Sequence, residues 1–141
     1  MGIVIGPRLT AFAAEPNLII VGTIRSNGSV QMNPLWFELR DGAFWLNAGP
    51  RRGWLAHMER DPRVTLLLLD PKGHHRWAQL QGRAASFTTE GGPEHFERLA
   101  LRYTGRPYRI PDQVRTIVRV DLLRVTGEDE RRAWDSAERR G

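Results

Sequence analysis

Two adjacent arginines at a predicted strand-to-helix junction are the residues of this sequence best suited to bind an anion. Arg51 and Arg52 follow an apolar run that ends at Asn47. Arg52 also begins the segment Arg52–Arg60, whose apolar residues lie near helical spacing. Unpaired amides at a helix start, the positive end of the helix dipole and guanidinium groups together favour a phosphate. The junction therefore predicts a phosphate site, although it equally fits a simple turn with solvated arginines and Trp54 in the core.

Other catalytic constellations are missing from the sequence. It contains no cysteine, which excludes disulfides, thiolate nucleophiles and cysteine-ligated metals. No two histidines have the i, i+4 spacing with a carboxylate that a helical zinc site needs. The serines lie outside any Gly-x-Ser-x-Gly turn, and the glycines form neither a Walker loop nor a dinucleotide fingerprint. These absences disfavour zinc chemistry, acyl transfer and nucleotide hydrolysis.

Six strands and two main helices are predicted to position the arginine junction. Asn27-Gly28 between two β-rich runs indicates a hairpin, and Pro34 inside the second run indicates a bulge or an edge. The run Val64–Leu69 is continuously apolar, which favours a strand buried on both faces. The first three strands are predicted to form a meander. The predicted strands are 18–24, 30–39, 43–47, 64–69, 77–84 and 114–122, and the predicted helices are 52–60 and 93–103, after a short helical lead-in at 8–14.

This order of elements predicts a mainly β fold with α additions, of the α+β class, built as a six-stranded antiparallel barrel. Residues 1–127 would form the barrel domain, and residues 128–141 a charged C-terminal tail in which Trp134 could dock. The strand 77–84 alternates so that Trp77 and Gln79 share a polar face. Such a face on a central strand indicates a wet cavity or an interface.

Composition favours a water-soluble protein. The chain has 141 residues, of which 40% are hydrophobic, and no apolar run approaches the roughly 20 residues of a membrane span. The N-terminus lacks a signal-peptide layout, so we expect a cytoplasmic protein without membrane association. The net charge of +5 comes from basic residues spread along the chain, which leaves a basic nucleic-acid-binding barrel as a minor alternative. Binding that weakens steeply with salt would identify that alternative.

Four segments of the sequence carry a family resemblance: 22–37, 49–52, 60–66 and 77–84. In combination, the element Arg60-Asp61-Pro62-Arg63-Val64 and a downstream Trp-x-Gln-x-x-Gly resemble the pyridoxamine 5'-phosphate oxidase-like superfamily, and within it the flavin and deazaflavin oxidoreductase branch. The likeness covers about residues 18–126. It implies an FMN-binding-like split β-barrel that forms a homodimer, with FMN or the deazaflavin coenzyme F-420 in a cleft between the subunits. The cofactor-binding residues that it implies are Asn33, Pro34, Trp36, Asn47, Ala48, Arg51, Arg52, Trp54, His57, Trp77 and Gln79.

The sequence departs from the family pattern at the implied phosphate site. Where similar proteins usually carry a phosphate-binding lysine, this chain has Trp54, and the usual asparagine three residues later is His57. Loss of a charge-assisted contact would weaken binding by about 1.5 to 3 kcal/mol. Three alternatives follow: Arg51 or Arg52 compensates, Trp54 stacks on a ring system, or the protein binds a different ligand or no cofactor.

The resemblance implies a redox enzyme that transfers a hydride to or from a small organic substrate through its coenzyme. Such a protein binds and orients the coenzyme and needs no catalytic acid or base of its own. Trp36, Trp54 and Trp77 would then shape the substrate pocket, or else pack in the core or a dimer interface. The main alternative is a non-catalytic split barrel that holds a flavin or a haem-like ligand, and the missing lysine favours it.

Overall fold

Eight strands form one antiparallel sheet in the structure, a computed structural model that describes residues 2–73, 75–108 and 110–134. The sheet order is β2-β1-β5-β6-β7-β4-β3, and β8 pairs with β7. The strands are β1 (Ile19–Ile24), β2 (Val30–Leu35), β3 (Glu38–Arg40), β4 (Ala43–Ala48), β5 (Arg63–Leu69), β6 (Arg76–Thr88), β7 (Thr116–Asp129) and β8 (Arg132–Ala133). The α+β class is confirmed, whereas the count of six strands is wrong.

The predicted second strand divides in two, which changes the topology. β2 ends at Leu35, and Phe37 then turns into the core, where its N–H donates to the Tyr103 hydroxyl and its ring stacks on Phe44. The chain thereby leaves β1, and β3 pairs with β4 instead. Both hairpins of the predicted meander are therefore observed, β1 with β2 and β3 with β4, but its middle strand is broken, so β2 and β3 lie at opposite ends of the sheet order. No pairing between them closes the described sheet into a complete barrel.

The core lies on one face of the sheet. One cross-strand row joins Val21, Leu66, Leu80 and Val125, and all four side chains are buried. β5 alternates between buried and more exposed residues, so the prediction of burial on both faces is wrong. The buried residues of the first two helices belong to the core on the other face, so these two helices do not cover the outward leucines of β5.

Three helices pack against the sheet. They are α1 (Pro7–Ala14), α2 (Gly53–Arg60) and α3 (Gly92–Thr104), close to the predicted bounds. α1 and α2 contribute buried side chains to that core. Proline in the first turn of α3 and the left-handed Gly105 at its end fix its limits, since proline suits a helix start and glycine a helix end. α2 connects β4 to β5 and therefore sets the arginine junction at the edge of the core. No helix in the described ranges is long and apolar enough to cross a membrane.

The chain continues to pack beyond the predicted end of the domain at residue 127. β7 runs on to Asp129 and then pairs with β8. Trp134 is buried, stacks on Phe12 with the ring centroids 5.6 Å apart, and donates its indole N–H to the Trp77 carbonyl at 2.7 Å. The predicted docking of Trp134 is thus observed, while the rest of the predicted tail, 135–141, lies outside the described residues.

Candidate functional site

A cavity of about 380 Å³ opens where β2, β4, α2 and α3 meet. Its walls combine aromatic rings, two asparagines and two arginines. Its volume lies in the range of about 300 to 1,000 Å³ that is typical of small-molecule sites. The lining residues are Leu18, Asn33, Pro34, Leu35, Trp36, Asn47, Gly49, Arg52, Trp54, Phe96, Leu99 and Arg115.

Six of the eleven predicted site residues line this cavity. They come from β2, β4 and the start of α2, and the predicted junction thus faces a real opening. They are Asn33, Pro34, Trp36, Asn47, Arg52 and Trp54.

The aromatic walls of the cavity are fixed by packing. Trp36 stacks on Tyr103 and on Phe96, at centroid distances of 5.3 and 6.0 Å. Trp54 is only 2% exposed and belongs to the hydrophobic core, so its ring closes the cavity floor and is not free to swing. Trp54 therefore shapes the opening as a core residue, whereas Trp36 is half-buried and is held by its ring contacts.

Arg115 is the residue that sequence reasoning missed. It immediately precedes β7 and is 8% exposed, yet its guanidinium carbon lies 3.7 Å from the centre of the Phe96 ring. Its Nε donates to Asn47 Oδ1 at 2.6 Å, and its Nη1 donates to the Gln113 side-chain oxygen. In the sequence it reads as one more polar residue of an alternating strand, like Arg119, so no local pattern distinguishes it.

Asn47 joins Arg115 to a buried polar network. Its Nδ2 donates to the Gly92 carbonyl at 2.9 Å and to His95 Nδ1 at 3.0 Å. His95 therefore accepts at Nδ1 and carries its hydrogen on Nε2. Nε2 lies 3.2 Å from Glu38 Oε1, but this contact does not have the geometry of a regular hydrogen bond. With both amide hydrogens in use, Asn47 acts as a positioning residue for Arg115 and has no donor left for a ligand.

Glu38 ends this network near the surface. Burial by itself would raise the pKa of Glu38, but the adjacent His95 and Arg98 side chains outweigh it and lower the pKa to about 2. Arg98 Nη2 lies 2.7 Å from the carboxylate. Glu38 therefore stays ionised at neutral pH and anchors the chain of contacts that ends at Arg115.

The cavity itself is positive. Among the described residues, no carboxylate oxygen lies within 4.0 Å of Arg52 or Arg115. Burial, together with the charge of Arg52, lowers the pKa of Arg115 below its ordinary value. Within the described ranges, no group of three or more His, Asp or Glu side chains could hold a metal ion. The chemistry that these walls favour is the binding of an anion.

Three predicted residues near the junction do not line the cavity. Ala48 is buried in β4. Arg51 is exposed and has a φ of 61°, a left-handed conformation that separates its side chain from that of Arg52. His57 Nδ1 lies 3.1 Å from the hydroxyl of the buried Thr23, which ties it to β1.

Trp77 and Gln79 lie farther away, on β6. Gln79 shares one cross-strand row with Leu67, Ile20 and Pro34, three strand spacings from β2. At about 4.8 Å per spacing the separation from Pro34 is about 14 Å. These two residues therefore do not join the cavity of their own chain.

Fold and cavity together define a small α+β protein with a positively charged pocket at the edge of an open antiparallel sheet. The chain belongs to the pyridoxamine 5'-phosphate oxidase family, because the family model matches residues 5–132. This confirms the resemblance seen in the sequence.

Solved structures show the same fold at low sequence identity. An F-420 reductase has a TM-score of 0.76 and 19% identity, over 82% of this chain and 94% of that one. A conserved hypothetical protein from Mycobacterium tuberculosis has a TM-score of 0.68 and 24% identity, over 92% and 88%. HupZ from Group A Streptococcus has a TM-score of 0.67 and 16% identity, over 98% and 99%. No curated protein matches the sequence.

Proposed function

We propose that this protein is an oxidoreductase that binds FMN or the deazaflavin coenzyme F-420 in the cavity between β2, β4, α2 and α3. The observation that carries the proposal is the position of Arg52, which stands at the start of α2 and lines an aromatic cavity in a chain of the pyridoxamine 5'-phosphate oxidase family. The likeness to an F-420 reductase favours the deazaflavin slightly.

The residues present fit such a coenzyme. Arg52 and the unpaired amides at the start of α2 offer charge and donors to a phosphate. Asn33 and the Pro34 backbone line one side, and Trp36 supplies an aromatic face. When bound, the coenzyme supplies hydride transfer, while the chain binds it, orients it and keeps water from the reacting face.

Arg52, and not Arg51, is proposed to replace the lysine that similar proteins carry at the position of Trp54. Arg52 lines the cavity, whereas the left-handed backbone at Arg51 leads that side chain elsewhere. The floor position is filled by the buried Trp54 ring, so the positive charge has moved from the floor to the rim.

A second copy of the chain is proposed to complete the site. The outer sheet face exposes Val30 and Met32 on β2 and Leu69 on β5, at 56%, 63% and 42% of their surface. Val30 and Met32 stand two residues apart on the same face of β2, exposed apolar patches are typical of an interface, and two-fold dimers are the commonest assembly. Trp77 and Gln79 share that face, so in a dimer they would approach the partner's cavity, which accounts for their distance from their own.

Sedimentation of the wild type and of Met32→Arg tests the assembly. A buried arginine without a partner is costly, so we expect a dimer that M32R converts to monomer. Leu101→Arg is the matched control, because Leu101 is 52% exposed but lies on α3. A monomeric wild type would refute the shared cleft.

Titration of the purified protein with FMN, and separately with F-420, tests the coenzyme. We expect saturable micromolar binding of one of them, followed by tryptophan quenching and by the coenzyme's own fluorescence. Arg52→Ala should weaken binding at least about tenfold, as expected for a lost charge-assisted hydrogen bond, while Arg51→Ala should change it less than threefold.

Two results would change the interpretation. If neither coenzyme binds, the redox function is wrong. If one binds but is neither reduced nor oxidised with any substrate, the chain is a non-catalytic ligand-binding member of its family.

A further inference from the structure

Arg115 is a buried cation that has no carboxylate partner among the described residues. More than nine-tenths of its surface is covered, and the described groups that it donates to, Asn47 and Gln113, are neutral carboxamides. Buried charges in proteins are normally paired, because an unpaired ion loses its hydration without compensation. Besides burial, the charge of Arg52, which is also positive, lowers the pKa of Arg115.

The fold makes room for this cation at two glycines. A Cβ atom at Gly92 would lie 2.0 Å from the Arg115 carbonyl oxygen, so only glycine allows the two segments to meet. A Cβ at Gly49 would lie 3.1 Å from Arg115 Nη1, closer than ordinary packing. Together with the Phe96 ring beneath the guanidinium and the Asn47 bond at its Nε, these contacts hold the side chain in one place.

We propose that Arg115 recognises an oxyanion, a carboxylate or a phosphate, on the molecule that occupies the cavity. The inference deepens the proposed function, on which the choice of cavity rests. The ligand then supplies a counter-ion that the described residues do not.

The guanidinium keeps donors for such a group. Of its five N–H bonds, the contacts to Asn47 and Gln113 use two, so the remaining three sit on Nη1 and Nη2. A planar fork of this kind matches the two oxygens of a carboxylate or a phosphate. Arg52 stands on the exposed rim and Arg115 inside, so the cavity offers one outer and one inner anion position.

Arg115→Met tests the proposal, because it keeps an unbranched stem against Phe96 and removes the charge. Arg119→Met is the matched control, since Arg119 lies on β7 beside its own carboxylate, Asp121, and outside the cavity. The probes are sodium benzoate and sodium phosphate, at an ionic strength matched with sodium chloride. Binding is followed by tryptophan fluorescence and by the rise in melting temperature that a ligand of the folded state produces.

We expect at least one probe to bind the wild type saturably. R115M should weaken that binding at least tenfold, and R119M should change it less than twofold. A merely structural arginine would behave differently, lowering the melting temperature on replacement without altering the affinity for the probe. The proposal is wrong if R115M binds both probes like the wild type, or if no probe binds and R115M leaves coenzyme affinity unchanged.

Titrating the variants with FMN and F-420 identifies the source of the oxyanion. If R115M loses the probe but keeps coenzyme affinity within twofold, the oxyanion belongs to an anionic substrate. If it loses both, the oxyanion is the coenzyme phosphate. If the protein binds a probe through Arg115 but binds neither coenzyme, the redox function is wrong and this inference stands. If it binds a coenzyme but neither coenzyme nor probe binding depends on Arg115, the redox function stands and this inference is wrong.

The wild type offers a further measurement that does not depend on the folding of R115M. The Nε–H of Arg115 is buried and hydrogen-bonded to Asn47, so its resonance in arginine-labelled protein should stand apart from those of exposed arginines. We expect this resonance to shift on titration with the probe that binds. A resonance that stays fixed while the probe saturates would place the anion elsewhere.

Discussion

Replacing Asn47 with alanine should destabilise the protein by more than its modest size suggests. The Asn47 amide satisfies three groups at once, the Arg115 Nε, the Gly92 carbonyl and the His95 Nδ1. Each group left without a partner costs about 1 to 3 kcal/mol when buried. Because water can enter from the adjacent cavity and satisfy part of this loss, we expect a decrease in unfolding free energy of about 2 to 4 kcal/mol.

Thermal unfolding measured by circular dichroism gives the expected size of the effect. For a chain of 141 residues the unfolding entropy is about 0.3 kcal/mol per kelvin, so the melting temperature should fall by about 7 to 14 °C. Urea unfolding at 25 °C gives the free energy directly and checks that the slope with denaturant is unchanged.

Asn33→Ala is the matched control for this prediction. Asn33 is also a half-buried asparagine on the cavity wall, but its side chain has one described bond, from Gln31. We expect it to cost about 1 kcal/mol or less. Equal losses for N47A and N33A would show that the network through Asn47 contributes nothing beyond an ordinary surface contact.

Three further perturbations have defined outcomes. Gly127→Ala should lower the unfolding free energy by about 2 to 5 kcal/mol in urea, because Gly127 has a φ of 116° and a Cβ there would lie 2.3 Å from the Trp77 carbonyl oxygen. Gly28→Ala is the control: Gly28 also has a positive φ but nothing lies near its Cβ position, so the substitution should cost only about 1 kcal/mol. Trp134→Ala should lower the unfolding free energy by about 3 to 5 kcal/mol, and Trp134→Phe by about 1 kcal/mol, because phenylalanine keeps the ring contact with Phe12 and loses only the indole hydrogen bond. Equal decreases for the two variants would contradict this. The pKa of Glu38 is lowered from 4.5 to about 2 in the folded state, so its stabilising contribution is complete above pH 4.5 and is lost as the pH falls towards 2. Glu38→Gln should therefore flatten the decline of the unfolding free energy, measured in urea, between pH 4.5 and 2. If the decline is as steep as in the wild type, Glu38 does not carry this contribution.

Local patterns in the sequence determined most elements and the place of the site. Helices over 52–60 and 93–103 follow from apolar spacing, and they are observed as α2 and α3. The junction at Arg51 and Arg52 is predicted as an anion site, and Arg52 lines the cavity between β2, β4, α2 and α3. These features depend on residues a few positions apart, which is the range over which helix and strand periodicity acts.

Tertiary structure decided which residues complete the site. The bond from Arg115 to Asn47 joins residues 68 positions apart, and no local pattern separates Arg115 from Arg119 in the predicted strand 114–122. Which of Arg51 and Arg52 faces the cavity depends on the backbone at Arg51, whose φ is left-handed. The break between β2 and β3 depends on the contact of Phe37 with Tyr103. Burial of a single side chain depends on what packs over it, and long-range packing alone supplies that.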